Sequence, residues 1–310
     1  MHGITDQDLD RIIEAPDVTA LGEMLAEEIP SVQSSGQVRS FHLSGAHLLS
    51  AKEAAVGAVH AERLAEAGLA PPPQWRRLIV TDMTKMDWFV DAVGGPDNAR
   101  KVPALTTTNG DMIFNATKLG ADARWYLMYS MQENDSRGHR LGELGLGATP
   151  VTLHEITHTF DPQAAFLRAE HAARRDEAIA SMGRYSTQNH EAYAESGKMV
   201  YLYGAKAPQF AKDAWAMNFP MTPATWSAAT QAADNVRRSV HRLHASVDRD
   251  GHQLAPEAAR QKQAQMAALQ GFTSVSPTTM RPDPSQVRHS ASLSPGSQLA
   301  AQREAPSIGR

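Results

Sequence analysis

The chain has 310 residues, 42% of them hydrophobic and 21% charged, with a net charge of −4 and no cysteine. That length and apolar content suffice for a well-buried core, while the acidic balance and a pI near 6.3 speak against a dedicated nucleic-acid binder, which carries a basic surplus. Without cysteine there is neither a disulfide framework nor a thiolate metal site, so any transition metal has to be held by histidine and carboxylate.

The first ten residues contain no apolar h-region, so no Sec-type signal peptide is expected. No apolar run reaches the roughly 18–20 residues of a membrane span. Residues 4–30 predict two short amphipathic helices: Leu9, Ile12 and Ile13 share one face and Leu21, Met24, Leu25 and Ile29 another, with Pro16 and Asp17 between them. The polar stretch 31–40 is a loop. Ser50 and Glu53 have capping-box spacing at the start of a helix packed through Ala54, Ala55, Val56, Val59 and Leu64, and Gly68 is placed to close it. Pro71, Pro72 and Pro73 then stop any helix.

Arg77 to Thr81 predicts a strand, and Thr106 to Ala116 a hairpin about a two-residue Asn109-Gly110 turn. Trp125 to Met131 predicts a further strand, and Gly142, Gly145 and Gly147 a flexible loop. Thr149 as N-cap and Pro150 at the first helical position open a helix that ends near Asp161, ahead of Pro162. Further helices are expected over 163–181, 188–204 and 223–248. From Gly271 onward Ser, Pro, Gln and Arg dominate, and such a segment cannot bury enough surface to offset its ordering entropy. The expected organisation is a single domain over 1–270, N-terminal helices included, and a disordered tail over 271–310.

The helix opened at Thr149 carries His154-Glu155-Ile156-Thr157-His158. Residues four apart lie on one helix face a turn apart, so both imidazoles can reach one tetrahedral zinc at about 2.0–2.1 Å. Glu155 sits beside them, free to take a proton from a zinc-bound water. The plainer alternative is that both histidines merely decorate a helix. A catalytic two-histidine site needs a third protein ligand and an open position for water. Downstream, Glu191 and Glu195 are also four apart on an expected helix. The natural division of labour puts Glu191 on zinc and Glu195 on the far N–H of a ligand imidazole, against the plainer alternative of a solvated face with two glutamates. His190 neighbours Glu191 but is rotated about 100° around the helix. His171 and Glu170 suit a solvated face, and His42, His47 and His60 have no partner spacing.

This arrangement resembles the gluzincin zinc metallopeptidases. His-Glu-Ile-Thr-His-Thr-Phe-Asp from His154, Gly183-Arg184, and Glu191-Ala192-Tyr193-Ala194-Glu195 resemble, within that clan, the catalytic domain of the anthrax lethal factor family; the likeness covers about 150–205. It implies an α+β, zincin-like fold, mostly helical, with a small mixed sheet beside the HExxH helix. It implies one Zn2+ per chain on His154, His158 and Glu191, Glu155 as general base, and Glu195 and Asp161 as supporting residues; Asp161 equally suits a plain turn before Pro162. The family places a tyrosine before Gly-Arg as oxyanion donor. Here Met182 stands at that place and Tyr185 follows, so Tyr185 takes the role. Tyr193 is expected to pack. The implied activity is a metalloendopeptidase acting on a protein or peptide substrate, a bacterial toxin or effector in the cytoplasm or exported without a Sec-type signal. The strand from Met112 to Asn115 is expected to pair with an extended substrate. The alternatives are a catalytically inactive zincin-fold binding module or a helical interaction protein.

Overall fold

The structure, a computed structural model, describes residues 6–28, 39–43, 45–116, 146–159, 164–248 and 252–273. Two short helices, α1 (Asp6–Glu14) and α2 (Val18–Glu28), form where the spacing predicts them. Asp17 separates them by accepting the Ala20 N–H at 2.8 Å, which satisfies an otherwise unpaired donor at the start of α2. Leu9, Ile12, Ile13, Leu21 and Leu25 are buried.

Helix α3 (Leu48–Glu66) is covered on nearly every side, as its all-round run of alanine and valine allows. Gly68 closes it as expected: the Gly68 N–H bonds Ala65 O at 3.0 Å and the Leu69 N–H bonds Leu64 O at 2.7 Å, the pattern of a Schellman cap. Its start differs from the expectation. The N-cap is His47, without a side-chain bond, and Ser50 and Glu53 lie inside the helix and are buried. Glu53 is taken instead by long-range partners, accepting the Ala148 N–H at 2.9 Å and His244 Nε2 at 2.6 Å. Its neighbour Lys52 donates to Ile13 O near the end of α1 at 2.7 Å and to Gln253 Oε1 at 2.6 Å. Burial pulls the Lys52 pKa down to about 8. A cation thus meets the C-terminal end of one helix and an anion the N-terminal end of another, each the sign that a helix dipole favours.

The sheet has four strands, β1 (Ser40–His42), β2 (Arg77–Thr81), β3 (Ala104–Thr106) and β4 (Asp111–Asn115), in the order β1-β2-β4-β3. β1, β2 and β4 are parallel, and β3 runs antiparallel to β4 with Leu105 opposite Ile113. The alternation along β4 separates two layers: Met112 and Phe114 join the main core, and Ile113 packs with Met83, Phe89 and Ala99 beneath α4 (Asp87–Val93) and α5 (Pro96–Ala99). The β3–β4 hairpin forms, but Thr107 to Gly110 make a four-residue loop, with the Gly110 N–H on Thr107 O, rather than the two-residue turn expected. β4 is also interior, paired on both sides, so it has no edge to offer a peptide. The edge strands are β1 and β3, and among the described residues the outer side of β3 pairs with no strand. The Thr107 N–H to Asp111 O and Asn115 N–H to Pro103 O bonds set the alternation that turns the peptide groups of Ala104 and Thr106 outward.

The remaining described helices are α6 (Thr149–His158), α7 (Ala164–Ala173), α8 (Arg175–Met182), α9 (Asn189–Tyr203), α10 (Gln209–Asn218), α11 (Pro223–Ser246) and α12 (Pro256–Thr273). The expected helix over 163–181 is divided at Arg174, whose guanidinium bonds Glu170, Glu177 and, on α10, Asp213. Helices α10 and α12 were not expected; Lys262 of α12 caps α11 by donating to His244 O and Val247 O at 2.7 and 2.5 Å. The expected strand at Trp125 to Met131, Gly142 and Gly145, Asp161, and the tail past Thr273 lie outside the described residues. The described residues make a mostly helical α+β protein with a small mixed sheet. No described helix is long and apolar enough to cross a membrane.

Candidate metal centre

Helix α6 begins one residue before the expected position: Ala148 is its N-cap, and Thr149 turns its hydroxyl to Glu53 O at 2.8 Å. Gly147, at φ +56°, presses its backbone onto the Glu53 carboxylate, where a Cβ would collide with the carboxyl group. On the opposite side α6 meets α9 at Gly197, where a Cβ would run into the Thr157 side chain and come within 2.9 Å of Trp215. This close approach lets residues of α9 reach those of α6.

Three atoms converge there. His154 Nε2 lies 2.9 Å from Glu191 Oε2 and 3.1 Å from His158 Nε2, and His158 Nε2 lies 3.5 Å from Glu191 Oε2. His154, His158 and Glu191 form a group with the composition and spacing to hold a metal ion, and among the described residues no other such group occurs. Tetrahedral zinc with bonds of about 2.0–2.1 Å sets its ligand atoms roughly 3.3 Å apart, so the observed separations of 2.9 to 3.5 Å bracket that value. The donor set fits the ion.

Glu195 sits behind His154, with Oε1 3.0 Å from Nδ1. It accepts the Nδ1 proton and leaves Nε2 as the inward-facing nitrogen. Its other oxygen is 2.7 Å from Lys198 Nζ, both side chains being only 4% exposed. Lys198 thus compensates the buried carboxylate, a pairing that a buried charge requires. Burial would lower the His154 pKa, but the bonds to Glu191 and Glu195 outweigh it and push it up to about 10. Burial would likewise raise the Glu191 carboxyl, and the bonds from His154, His158 and His190 instead hold it well below the usual carboxylate range.

Glu155 is buried and its carboxylate meets the sheet. Thr106 on β3 donates its hydroxyl to Glu155 Oε2 at 2.8 Å and lies 2.9 Å from Glu155 O. The expected general base therefore sits against the edge strand β3. Tyr185 lies in the 3-10 turn Arg184–Thr187 that precedes α9, and its side chain is outside the described residues. Tyr193 packs, fully buried, stacked on Trp215 with ring centroids 6.4 Å apart.

Four side chains were missed or misjudged from spacing. His190 does not point away: its Nε2 is 3.1 Å from Glu191 Oε1, because an imidazole at a helix start can bend back further than its rotation around the axis suggests. Lys198 is seven residues past Glu191 on the same helix face, a periodic signal that was available. Thr106 carries no signal, since its role depends on strand β3 docking on α6. His171, expected on a solvated face, is buried against Phe210. Searches against protein-family models, curated proteins and solved structures give no match.

Proposed function

We propose that this chain is a zinc-dependent metalloendopeptidase of zincin-like fold, with His154, His158 and Glu191 as the metal ligands and Glu155 as the general base. The convergence of His154 Nε2, His158 Nε2 and Glu191 Oε2 within 3.5 Å of one another carries the reading. Zinc, when bound, lowers the pKa of its water and polarises the scissile carbonyl. Glu155 would act as the base that takes a proton from the attacking water and returns it to the leaving amine. Thr106 holds the Glu155 carboxylate in place at 2.8 Å. The outward peptide groups of Ala104 and Thr106 give an extended peptide an edge to pair with beside Glu155, the strand-addition mode of peptide binding. Tyr185 is the proposed oxyanion donor. The resemblance to the lethal factor family extends the proposal to a secreted effector cleaving a protein of another cell.

Elemental analysis of purified protein tests this first. About one zinc per chain is expected, lost in His154→Ala and Glu191→Ala and retained in Glu155→Ala, with cleavage of an unfolded protein such as casein by the wild type and not by Glu155→Ala. A protein that holds no zinc and takes none up on its addition would overturn the reading. Bound zinc without cleavage of casein or a peptide library would replace it with a metal-binding module.

A further inference from the structure

The two oxygens of Glu191 face different partners. Oε2 turns inward, 2.9 Å from His154 Nε2 and 3.5 Å from His158 Nε2, whereas Oε1 turns outward to His190 Nε2 at 3.1 Å. The carboxylate is therefore fixed from both ends, with one oxygen left for the centre of the cluster. From this division, and resting on the metal reading above, we infer that His190 is a positioning residue for the metal centre: its Nε2–H holds Glu191 Oε1 and keeps the carboxylate a one-oxygen ligand.

The surroundings of His190 favour this role over a structural one. Its side chain is 43% exposed and that of Glu191 only 11%, so His190 contributes little to the core while its contact is to a buried group. It stands in the first turn of α9, directly beside Glu191 in the chain. Its ring lies beside that of His158, centroids 5.9 Å apart and planes 39° apart. On the far side Glu195 fixes His154 in the same manner at 3.0 Å. Two of the three inward donors are thus oriented by a second residue from the same helix, Glu195 for the imidazole and His190 for the carboxylate. Partners of this kind typically change metal affinity by about 10–100-fold when removed.

The test measures zinc affinity by competition with a chromophoric chelator, for the full-length wild type, His190→Ala and His190→Gln. His190→Ala is expected to bind zinc about 10–100-fold more weakly, with the melting temperature of the metal-free protein unchanged. His190→Gln, which retains an N–H donor, is expected to recover much of the loss. In the cobalt-substituted protein, the visible absorption of His190→Ala should weaken as Glu191 turns two oxygens to the ion and coordination number rises. Affinity and cobalt spectrum both unchanged in His190→Ala, with the wild type binding zinc, would overturn the role of His190 alone. Equal losses in His190→Ala and His190→Gln would also overturn it, since donation would not be the cause. A wild type that binds no zinc would overturn the metal reading and this inference with it.

Discussion

Glu191 with His154 and Glu53 with His244 are both buried glutamate–histidine pairs, at 2.9 and 2.6 Å, built from residues far apart in sequence. They differ in what meets the rest of the carboxylate. The second oxygen of Glu53 is taken by the Ala148 N–H, Gly147 backbone is pressed against it, and the side chain is 1% exposed. At Glu191 a second imidazole converges on the inward oxygen, and the His158 side chain is 18% exposed. The same pair chemistry therefore gives a clasp at one place and a candidate metal centre at the other. Donor count and access decide which. Both act on helix α6, the clasp on its first turn and the centre on its last.

The comparison breaks first at the clasp. Glu53→Ala leaves His244 and the Ala148 N–H without their acceptor in the core, and should lower unfolding free energy in a denaturant titration by about 3–5 kcal/mol. The folded fraction should still take up one zinc per chain. Loss of zinc with unchanged stability would mean that Glu53 belongs to the metal centre instead.

A third buried histidine sharpens the contrast. Among the described residues, His60 on α3 bonds no carboxylate, only Tyr201 O on α9 at 3.0 Å. Burial outweighs that bond, and with Arg63 nearby its pKa falls to about 4, where that of His154 rises to about 10. Between pH 6.5 and 4 the unfolded chain protonates His60 and the folded one does not, so this contribution is complete above pH 6.5 and is lost as pH falls toward 4. The change amounts to about 3 kcal/mol. His154 has the opposite sign in the metal-free protein: its contribution is complete below pH 6.5 and is lost as pH climbs toward 10. Stability measured between pH 5 and 7 should therefore fall with acid in the wild type and fall less in His60→Gln. Identical slopes would show that His60 titrates normally.

The smallest effect concerns the approach of the two metal-bearing helices. Gly197→Ala places a methyl against Thr157 and Trp215, and overpacking of this kind costs about 1–3 kcal/mol. It should also weaken zinc binding, because Glu191 and Glu195 move with α9. Thr157→Ala in the same chain should restore part of both in calorimetry and chelator competition. An unaltered zinc affinity in Gly197→Ala would mean that α9 tolerates the shift without moving its carboxylates.

What the sequence by itself determined is what a single helix determines. His154 and His158 share a face of α6 because residues four apart do so in any helix, and Glu191 and Glu195 share one on α9 for the same reason. The Pro150 start, the Gly68 stop, and the alternation of Met112 and Phe114 with Ile113 are equally local. The tertiary structure decided everything that depends on two elements meeting. Glu53 has capping-box spacing and serves another helix instead, because the N-terminus of α6 and His244 offer a buried carboxylate more than its own first turn does. β4 has the stronger strand pattern, yet it lies inside the sheet and β3 at an edge, since strand order is not written in the alternation of either. Thr106 reaches Glu155 only because β3 docks on α6, and His190 reaches Glu191 through the bend of one side chain. Periodicity fixes which residues share a face; it carries no information on which face another element will cover.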